Sequence, residues 1–184
     1  IKVDDTTISL IQPRFFMLHK PQGYVCANTD ADHPTVLDLL DEPRKNLLQI
    51  AGRLDIDTTG LVLITDNGDW NHRVTSPKKQ CEKCYRVETA DPILEEAIEV
   101  FSKGIMLHSE DKPTLPARLI IRNTRCADLY ISEGRYHQVK RMFAAIGNRV
   151  TKLHRHQIGS ITLDANLNEG EYRPLTSSEV LSFV

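Results

Sequence analysis

Residues 52–65, Gly-Arg-Leu-Asp-Ile-Asp-Thr-Thr-Gly-Leu-Val-Leu-Ile-Thr, join a polar loop to a continuous apolar run. The last six residues are rich in branched side chains and precede Asp66-Asn67-Gly68, a strong turn signal, so they predict a buried β-strand. The loop before this strand carries Asp55 two residues after Arg53. A carboxylate beside a cation at the end of buried structure is typical of a catalytic site.

Asp55 has two physical interpretations from the residues alone. As a nucleophile it would stay ionised with the help of a cation such as Lys140 or Arg141. As a structural residue it would cap the backbone or pair with Arg53, as many loop aspartates do. Asp57 lies close enough in sequence to compete for either role.

Short strands and short helices alternate irregularly along the rest of the chain. Apolar runs and period-two patterns predict strands over residues 15–18, 47–51, 60–65, 84–88, 117–122, 127–131 and 149–163. Capping and turn residues predict helices over residues 35–40, 69–74, 91–103, 135–146 and 177–183. The strands over 117–122 and 127–131 are close enough to form a hairpin. Since no regular βαβ alternation is present, the expected fold is α+β, with a mixed, mainly antiparallel sheet flanked by helices.

Two of the predicted helices have a recognisable core face. In the helix over 91–103 the residues expected to face the core are Leu94, Ile98 and Phe101. In the helix over 135–146 they are Val139, Phe143 and Ile146. That second helix carries His137, Lys140 and Arg141 on another side, so it is expected to pack with one stripe and present cations with the other.

Length and composition fit one domain of ordinary size. The chain has 184 residues, of which 40% are hydrophobic and 26% charged. No apolar run approaches the length of a membrane span, and no signal peptide is recognisable. These features predict a globular protein of the cytoplasm, with no membrane partner.

The distribution of charge is more informative than its sum. A net charge of −2 argues against nucleic-acid binding, but residues 135–160 contain no acidic residue. The basic residues of that window are Arg135, His137, Lys140, Arg141, Arg149, Lys152, His154, Arg155 and His156. They are interpreted either as a phosphate-binding stripe or as a solvated face whose acidic partners come from elsewhere in the chain.

The four cysteines are too few for a disulfide-built fold. Cys81 and Cys84 have the spacing of half a zinc site, which His154 and His156 would complete. The favoured interpretation is that all four are reduced cytosolic thiols, and no metal is expected.

Four motifs occur in order: His19-Lys20-Pro21-x-Gly23, Gly52-Arg53-Leu54-Asp55-x-x-Thr58-x-Gly60-Leu61, Lys83-x-Tyr85, and Gly134-Arg135-Tyr136-His137-Gln138-Val139-Lys140-Arg141-Met142. Together they resemble the RsuA branch of the RsuA/RluA-type pseudouridine synthases, over residues from about 15 to 184. The resemblance implies the pseudouridine synthase catalytic fold. It also implies an enzyme that isomerises one specific uridine of 16S, small-subunit, ribosomal RNA to pseudouridine without a cofactor.

The resemblance also implies a role for each matching residue. Asp55 is expected to attack the flipped-out uridine, with Lys140 as its counter-ion and Tyr85 stacking on the base as a candidate general base. Arg53 is expected to fill the gap that the nucleotide leaves, and Leu153 to line the uracil pocket. The remaining residues expected to contact RNA are Lys20, Arg135, His137, Gln138 and Arg141.

Members of this branch usually carry a small N-terminal RNA-binding domain of the alpha-L type, which the sequence lacks. Residues 1–13 are therefore expected to be a linker or a remnant of that domain, and residues 14–184 the catalytic domain. The expected partner is ribosomal RNA in a small-subunit assembly intermediate, bound by a monomer.

Two other hypotheses remain open. A non-catalytic RNA-binding or ribosome-assembly module would keep the fold but not depend on Asp55 for its activity. A zinc-binding nucleic-acid module would use Cys81 and Cys84.

Overall fold

A computed structural model describes residues 11–184 and, of the first ten residues, the backbone of Lys2–Val3 and Thr6–Thr7. The expected linker over residues 1–13 therefore lies largely outside the described residues. None of the helices in the described part is long and apolar enough to cross a membrane.

The regular elements are short, as the sequence predicts. The strands are Lys2–Val3 (β1), Thr6–Thr7 (β2), Phe15–Lys20 (β3), Gln49–Ala51 (β4), Thr59–Thr65 (β5), Lys83–Thr89 (β6), Arg118–Asn123 (β7), Cys126–Ile131 (β8), Val150–Ile158 (β9), Ile161–Thr162 (β10) and Tyr172–Pro174 (β11). The α-helices are Gly68–Thr75 (α1), Glu96–Lys103 (α2), Gln138–Ala145 (α3) and Ser177–Leu181 (α4). Single 3₁₀ turns cover Val36–Leu39, Lys45–Leu47 and Pro77–Lys79.

Most of the strands form one sheet in the order β11-β3-β5-β9-β6-β8-β7, with β4 also paired to β5 and β10 to β9. Its pairings are antiparallel except for β5 with β9, which run parallel. The predicted mixed, mainly antiparallel α+β fold is therefore confirmed, as is the hairpin of β7 and β8.

The parallel contact between β5 and β9 is a seam that joins the two halves of the sheet. Its ladder pairs Thr59 with His154 and Gly60 with Arg155. Gly60 has φ +117°, and a Cβ there would lie 2.1 Å from the backbone oxygen of Arg155. Only glycine allows the two strands to come this close, which explains the glycine that ends the loop at the start of β5.

Alternate residues of the strands build a core on each face of the sheet. Phe16, Leu18, Val62 and Ile64 join the larger core with α2 and α3, whereas a smaller core forms around Trp70 of α1 and the terminal α4. The indole of Trp70 donates to the backbone oxygen of Val180 at 3.0 Å, which ties α1 to α4.

Two predicted helices differ from the structure at their first turn. α2 begins at Glu96, and Leu94 and Ile98 are 65% and 41% exposed, so the predicted core face was wrong at these two positions and right at the fully buried Phe101. The helix packs through Ala97 and Phe101, because Leu94 lies before its first residue and Ile98 is on its exposed side.

The second difference is at α3, which begins at Gln138 rather than Arg135. Its N-cap, His137, has a left-handed backbone with φ 47°, which ends the preceding loop and starts the helix abruptly. Val139 and Phe143 are buried and Ile146 packs at the edge of the core, as predicted.

Candidate active site

Asp55 lies in the loop between β4 and β5, at the seam of the sheet. Leu54 is buried, and its N–H donates to the sulfur of Cys26 at 3.3 Å. The backbone oxygen of Asp55 accepts from the N–H of Thr58 at 3.0 Å, closing a tight turn. Anchored on both sides, the loop turns the half-buried carboxylate of Asp55 away from the core.

Lys20 supports this loop from below. Its side chain is fully buried, and its Nζ donates to the backbone oxygens of Pro21 at 3.0 Å, Ile56 at 3.2 Å and Thr58 at 2.7 Å. Burial lowers the pKa of this ammonium group. With all three donors used inside the protein, Lys20 does not contact RNA as expected; it holds the loop of Asp55 in place.

Two nitrogen-bearing side chains from the start of α3, His137 and Lys140, meet the Asp55 carboxylate. His137 Nε2 lies 3.3 Å from Oδ1, and Lys140 Nζ lies 3.3 Å from Oδ2. The structure thus brings Lys140 to the place expected for a counter-ion. Arg141, the other cation considered, points away and binds Glu110 at 3.0 Å.

Asp57 is also part of this site, rather than of the turn alone. Its Oδ1 accepts from Lys140 Nζ at 2.7 Å, a shorter contact than that made by Asp55. The hydrogen bond from Lys140 lowers the pKa of Asp57. Burial acts to lower the pKa of Lys140, but the bond to Asp57 and the charge of Asp55 outweigh it and raise that pKa. The ammonium group of Lys140 therefore forms ion pairs with two carboxylates, those of Asp55 and Asp57.

Tyr85 lies on β6 with its ring 8% exposed, and its hydroxyl is 3.4 Å from Arg155 Nη1. Arg155 itself is 2% exposed. Its Nε and Nη2 donate to the backbone oxygen of Leu61 at 3.0 and 2.9 Å, and its Nη1 lies 3.4 Å from that of Arg53. This guanidinium therefore links β9 to β5, to the hydroxyl group of Tyr85 and to the loop of Asp55.

Arg155 was expected to belong to a stripe of cations that holds the RNA backbone, and its burial excludes that role. No carboxylate of the described residues forms an ion pair with it. The signal for its burial was the alternation of β9, which places Arg155 on the same face of the sheet as the buried Leu153.

A cavity of about 640 Å³ unites these side chains. Its lining includes Arg53, Asp55, Tyr85, Lys140, Leu153 and Arg155. Leu153 is 9% exposed and supplies part of the apolar wall, whereas Arg53 is exposed. A cleft of this size, with an apolar wall and a few convergent polar groups, suits a ligand of nucleotide size.

Three further residues expected to contact RNA have hydrogen-bond partners within the protein, and for Arg135 and Arg141, which are partly exposed, the contact stays a prediction. Arg135 donates to the backbone oxygens of Lys112 and Pro113 at 2.8 and 2.7 Å. Arg141 donates to Glu110 and to the backbone oxygen of His108. Gln138 is 4% exposed and bonded to Glu133, so its burial excludes the expected contact. Acidic residues from elsewhere thus neutralise part of the basic window, as the alternative interpretation of that window proposed.

The cysteines are all free and do not form the zinc site considered from the sequence. Within the described residues, Cys84 groups with Asp128 and His156, and Cys81 lies outside that group. Asp128 is already bonded to Arg86 and Arg122. Burial raises the pKa of the Cys84 thiol to about 11, which disfavours the thiolate that a metal would need.

Comparison with known proteins gives matches over nearly the whole chain. Residues 14–145 match the family described as RNA pseudouridylate synthase. The chain is 60% identical over 172 residues to ribosomal small subunit pseudouridine synthase A of Escherichia coli (strain K12), covering 94% of this chain and 74% of that protein. It is 54% identical over 185 residues to the protein of the same name from Haemophilus influenzae, which covers 100% of this chain and 80% of that protein.

Solved structures show the same relationship. A crystal structure of a pseudouridylate synthase superposes with a TM-score of 0.91 at 55% identity, covering 94% of this chain and 74% of that one. The structure of human RNA pseudouridylate synthase domain containing 1 superposes with a TM-score of 0.56 at 15% identity, over 91% of this chain and 89% of that one. It shares the fold.

Proposed function

The chain belongs to the RNA pseudouridylate synthase family, and we propose that it isomerises one uridine of 16S, small-subunit, ribosomal RNA to pseudouridine. The substrate is supported by the names of relatives that are 54–60% identical. The observation that carries the proposal is the Asp55 carboxylate, placed in a nucleotide-sized cavity beside Lys140, with Tyr85 in the same wall.

The reaction requires the target nucleotide to leave the RNA stack, because a stacked uridine hides C1′ and C5 from a protein carboxylate. Asp55 attacks the flipped nucleotide, the bond from C1′ to N1 breaks, a bond from C1′ to C5 forms, and the bond to Asp55 breaks again to free the carboxylate. A proton leaves C5 and N1 ends protonated, so the product is an isomer and no redox partner or cofactor takes part. Lys140, whose Nζ lies 3.3 Å from Asp55 Oδ2, is the counter-ion of the attacking carboxylate.

The other cavity residues serve the flipped base. Tyr85 stacks on the uracil ring and is the candidate base for the C5 proton, and Leu153 packs against the ring. Arg53, which is exposed at the rim, occupies the gap in the RNA. The imidazole of His137 also lies beside Asp55, with Nε2 3.3 Å from Oδ1, and is expected to contact the substrate.

The form of the substrate is part of the proposal. A monomer acts on an assembly intermediate of the small subunit, where the target is still accessible, rather than on the finished particle. Free cysteines fit a reducing compartment, and the cytoplasm is the proposed location.

Asp55→Asn tests the function most directly. Pseudouridines are mapped in small-subunit RNA treated with wild type or variant, both as free RNA and as partly assembled subunits. We expect Asp55→Asn to bind RNA but to form no pseudouridine, and Asp57→Asn to retain the reaction. Undiminished isomerisation by Asp55→Asn would contradict the role of Asp55, and modification at many unrelated uridines would contradict a single target.

A further inference from the structure

Tyr136 is an exposed aromatic residue at the mouth of the candidate active site. It lines the cavity of Asp55, yet its side chain is 75% exposed. The other four tyrosines of the chain are all buried or half-buried. A tyrosine ring normally buries most of its apolar surface, so this exposure points to a surface that a partner covers.

The ring of Tyr136 is held in place rather than free to move. It stacks on the imidazole of His137, with centroids 3.8 Å apart and ring planes 18° from parallel. Its backbone oxygen accepts from Arg141 Nη1 at 3.0 Å. The left-handed backbone of His137, with φ 47°, is a strained conformation for a residue with a side chain, and such conformations persist where the surrounding structure fixes them. The stack is therefore preorganised.

This stack leads directly to the reacting carboxylate. The His137 imidazole covers one face of Tyr136, while its Nε2 lies 3.3 Å from Asp55 Oδ1. Because Tyr136 is 75% exposed, its second face is open to solvent. A planar ligand on that face would lie over the entrance through which a flipped nucleotide reaches Asp55.

Flipping a uridine leaves the bases on either side without a stacking partner. An aromatic ring can replace that partner for any base, since every nucleobase has a π-face. We propose that Tyr136, supported by His137, is a stacking platform for the nucleobase next to the target uridine. This inference rests on the proposed function and adds a substrate contact outside the uracil pocket.

The test compares the affinity of wild type, Tyr136→Ala and Tyr136→Phe for a small-subunit RNA fragment that contains the mapped uridine. Two further fragments lack the base on the 5′ or the 3′ side of that uridine. For intact RNA we expect Tyr136→Ala to bind about 5- to 150-fold more weakly, the range for loss of one base–aromatic stack. Tyr136→Phe keeps the ring and should bind like wild type.

With one of the two abasic fragments, wild type and Tyr136→Ala should bind equally, because the base that stacks is missing. Leu94→Ala, an exposed apolar residue outside the cavity, is the matched control and should leave affinity unchanged. Three results would overturn the inference: unaltered affinity of Tyr136→Ala, the same loss with all three RNAs, or an equal loss in Tyr136→Phe. Failure of the proposed function is distinct, because wild type would then form no pseudouridine in this RNA.

Discussion

Lys140 is the residue through which the two carboxylates of the candidate site are coupled. Its Nζ lies 3.3 Å from Asp55 and 2.7 Å from Asp57. Two carboxylates near one another disfavour each other's ionisation, and the ammonium group between them removes that repulsion. Lys140 therefore pairs with the proposed nucleophile and with Asp57 at the same time.

Replacing Lys140 by Met should slow isomerisation without preventing folding. Loss of a hydrogen bond to a charged group costs about 1.5–3 kcal/mol, which corresponds to roughly a 10- to 150-fold lower single-turnover rate. The pKa of Asp57, which Lys140 lowers, should rise in the variant, and NMR titration of the Asp57 carboxyl measures that shift. Lys140→Arg is the control that keeps the charge; a normal rate in Lys140→Met would exclude the role of counter-ion.

Arg155 makes a different prediction, which concerns stability. In Arg155→Met the backbone oxygen of Leu61 loses two donors. An unsatisfied buried acceptor costs about 1–3 kcal/mol, and we expect the free energy of unfolding to fall by that amount. Denaturant titration measures it, with Arg149→Met on the exposed surface as the control. Equal stability of the two variants would show that Arg155 is not needed at the seam.

At the scale of elements, the seam between β5 and β9 brings the parts of the site together. The loop of Asp55 enters β5, whereas Leu153 and Arg155 lie on β9 and Tyr85 on the next strand, β6. The hydroxyl of Thr59 also lies 2.7 Å from His154 Nδ1 across the seam. Any displacement of β5 from β9 would thus separate Asp55 from Tyr85.

Gly60→Ala should disrupt this seam. Its Cβ would meet the backbone of Arg155 at 2.1 Å, in a backbone conformation that suits glycine. Because backbone atoms cannot move aside cheaply, we expect a loss of about 3 kcal/mol or more in the free energy of unfolding. Gly68→Ala at the start of α1 is the control, since its Cβ meets nothing within 4 Å. Similar thermal unfolding of both variants would contradict the prediction.

At the scale of the whole molecule, Asp128 ties together strands on the face of the sheet opposite Tyr85. Its side chain is 1% exposed and accepts hydrogen bonds from Arg86 and Arg122. Burial acts to raise the pKa of this carboxyl, but the two arginines outweigh it and hold the pKa below its ordinary value of 3.8. A depressed pKa means that the ionised group stabilises the fold at neutral pH.

Asp128→Asn should therefore lower the free energy of unfolding by about 1–3 kcal/mol at pH 7. That stabilisation is present above the unfolded-state pKa and is lost as the pH falls through the lower folded-state pKa. The difference between wild type and variant should consequently shrink below pH 3.8. Denaturation at several pH values measures it, with the exposed Asp111→Asn as the control; a difference independent of pH would contradict the assignment.

Local patterns in the sequence were sufficient for the fold class and most strands, whereas the role of Asp55 as candidate nucleophile came from the resemblance of its motif to a known family. Period-two and apolar runs report which residues form strands, and Asp55 lies in a contiguous motif. The pattern was insufficient at α2. Leu94 and Ile98 have helical spacing, but Leu94 lies before the helix begins and Ile98 lies on its exposed side.

The sequence by itself determined most of the strands and helices and the motif that carries Asp55, because these properties depend on neighbours along the chain. Only the tertiary structure decided that Lys20 and Arg155 are buried supports and that Asp57 shares Lys140. These are contacts between residues 36 to 94 positions apart in the chain, such as Lys20 with Ile56 and Arg155 with Leu61. The sequence identifies a residue as cationic. The strand that it contacts and the hydrogen-bond acceptors around it are decided only when the strands pair in the folded sheet.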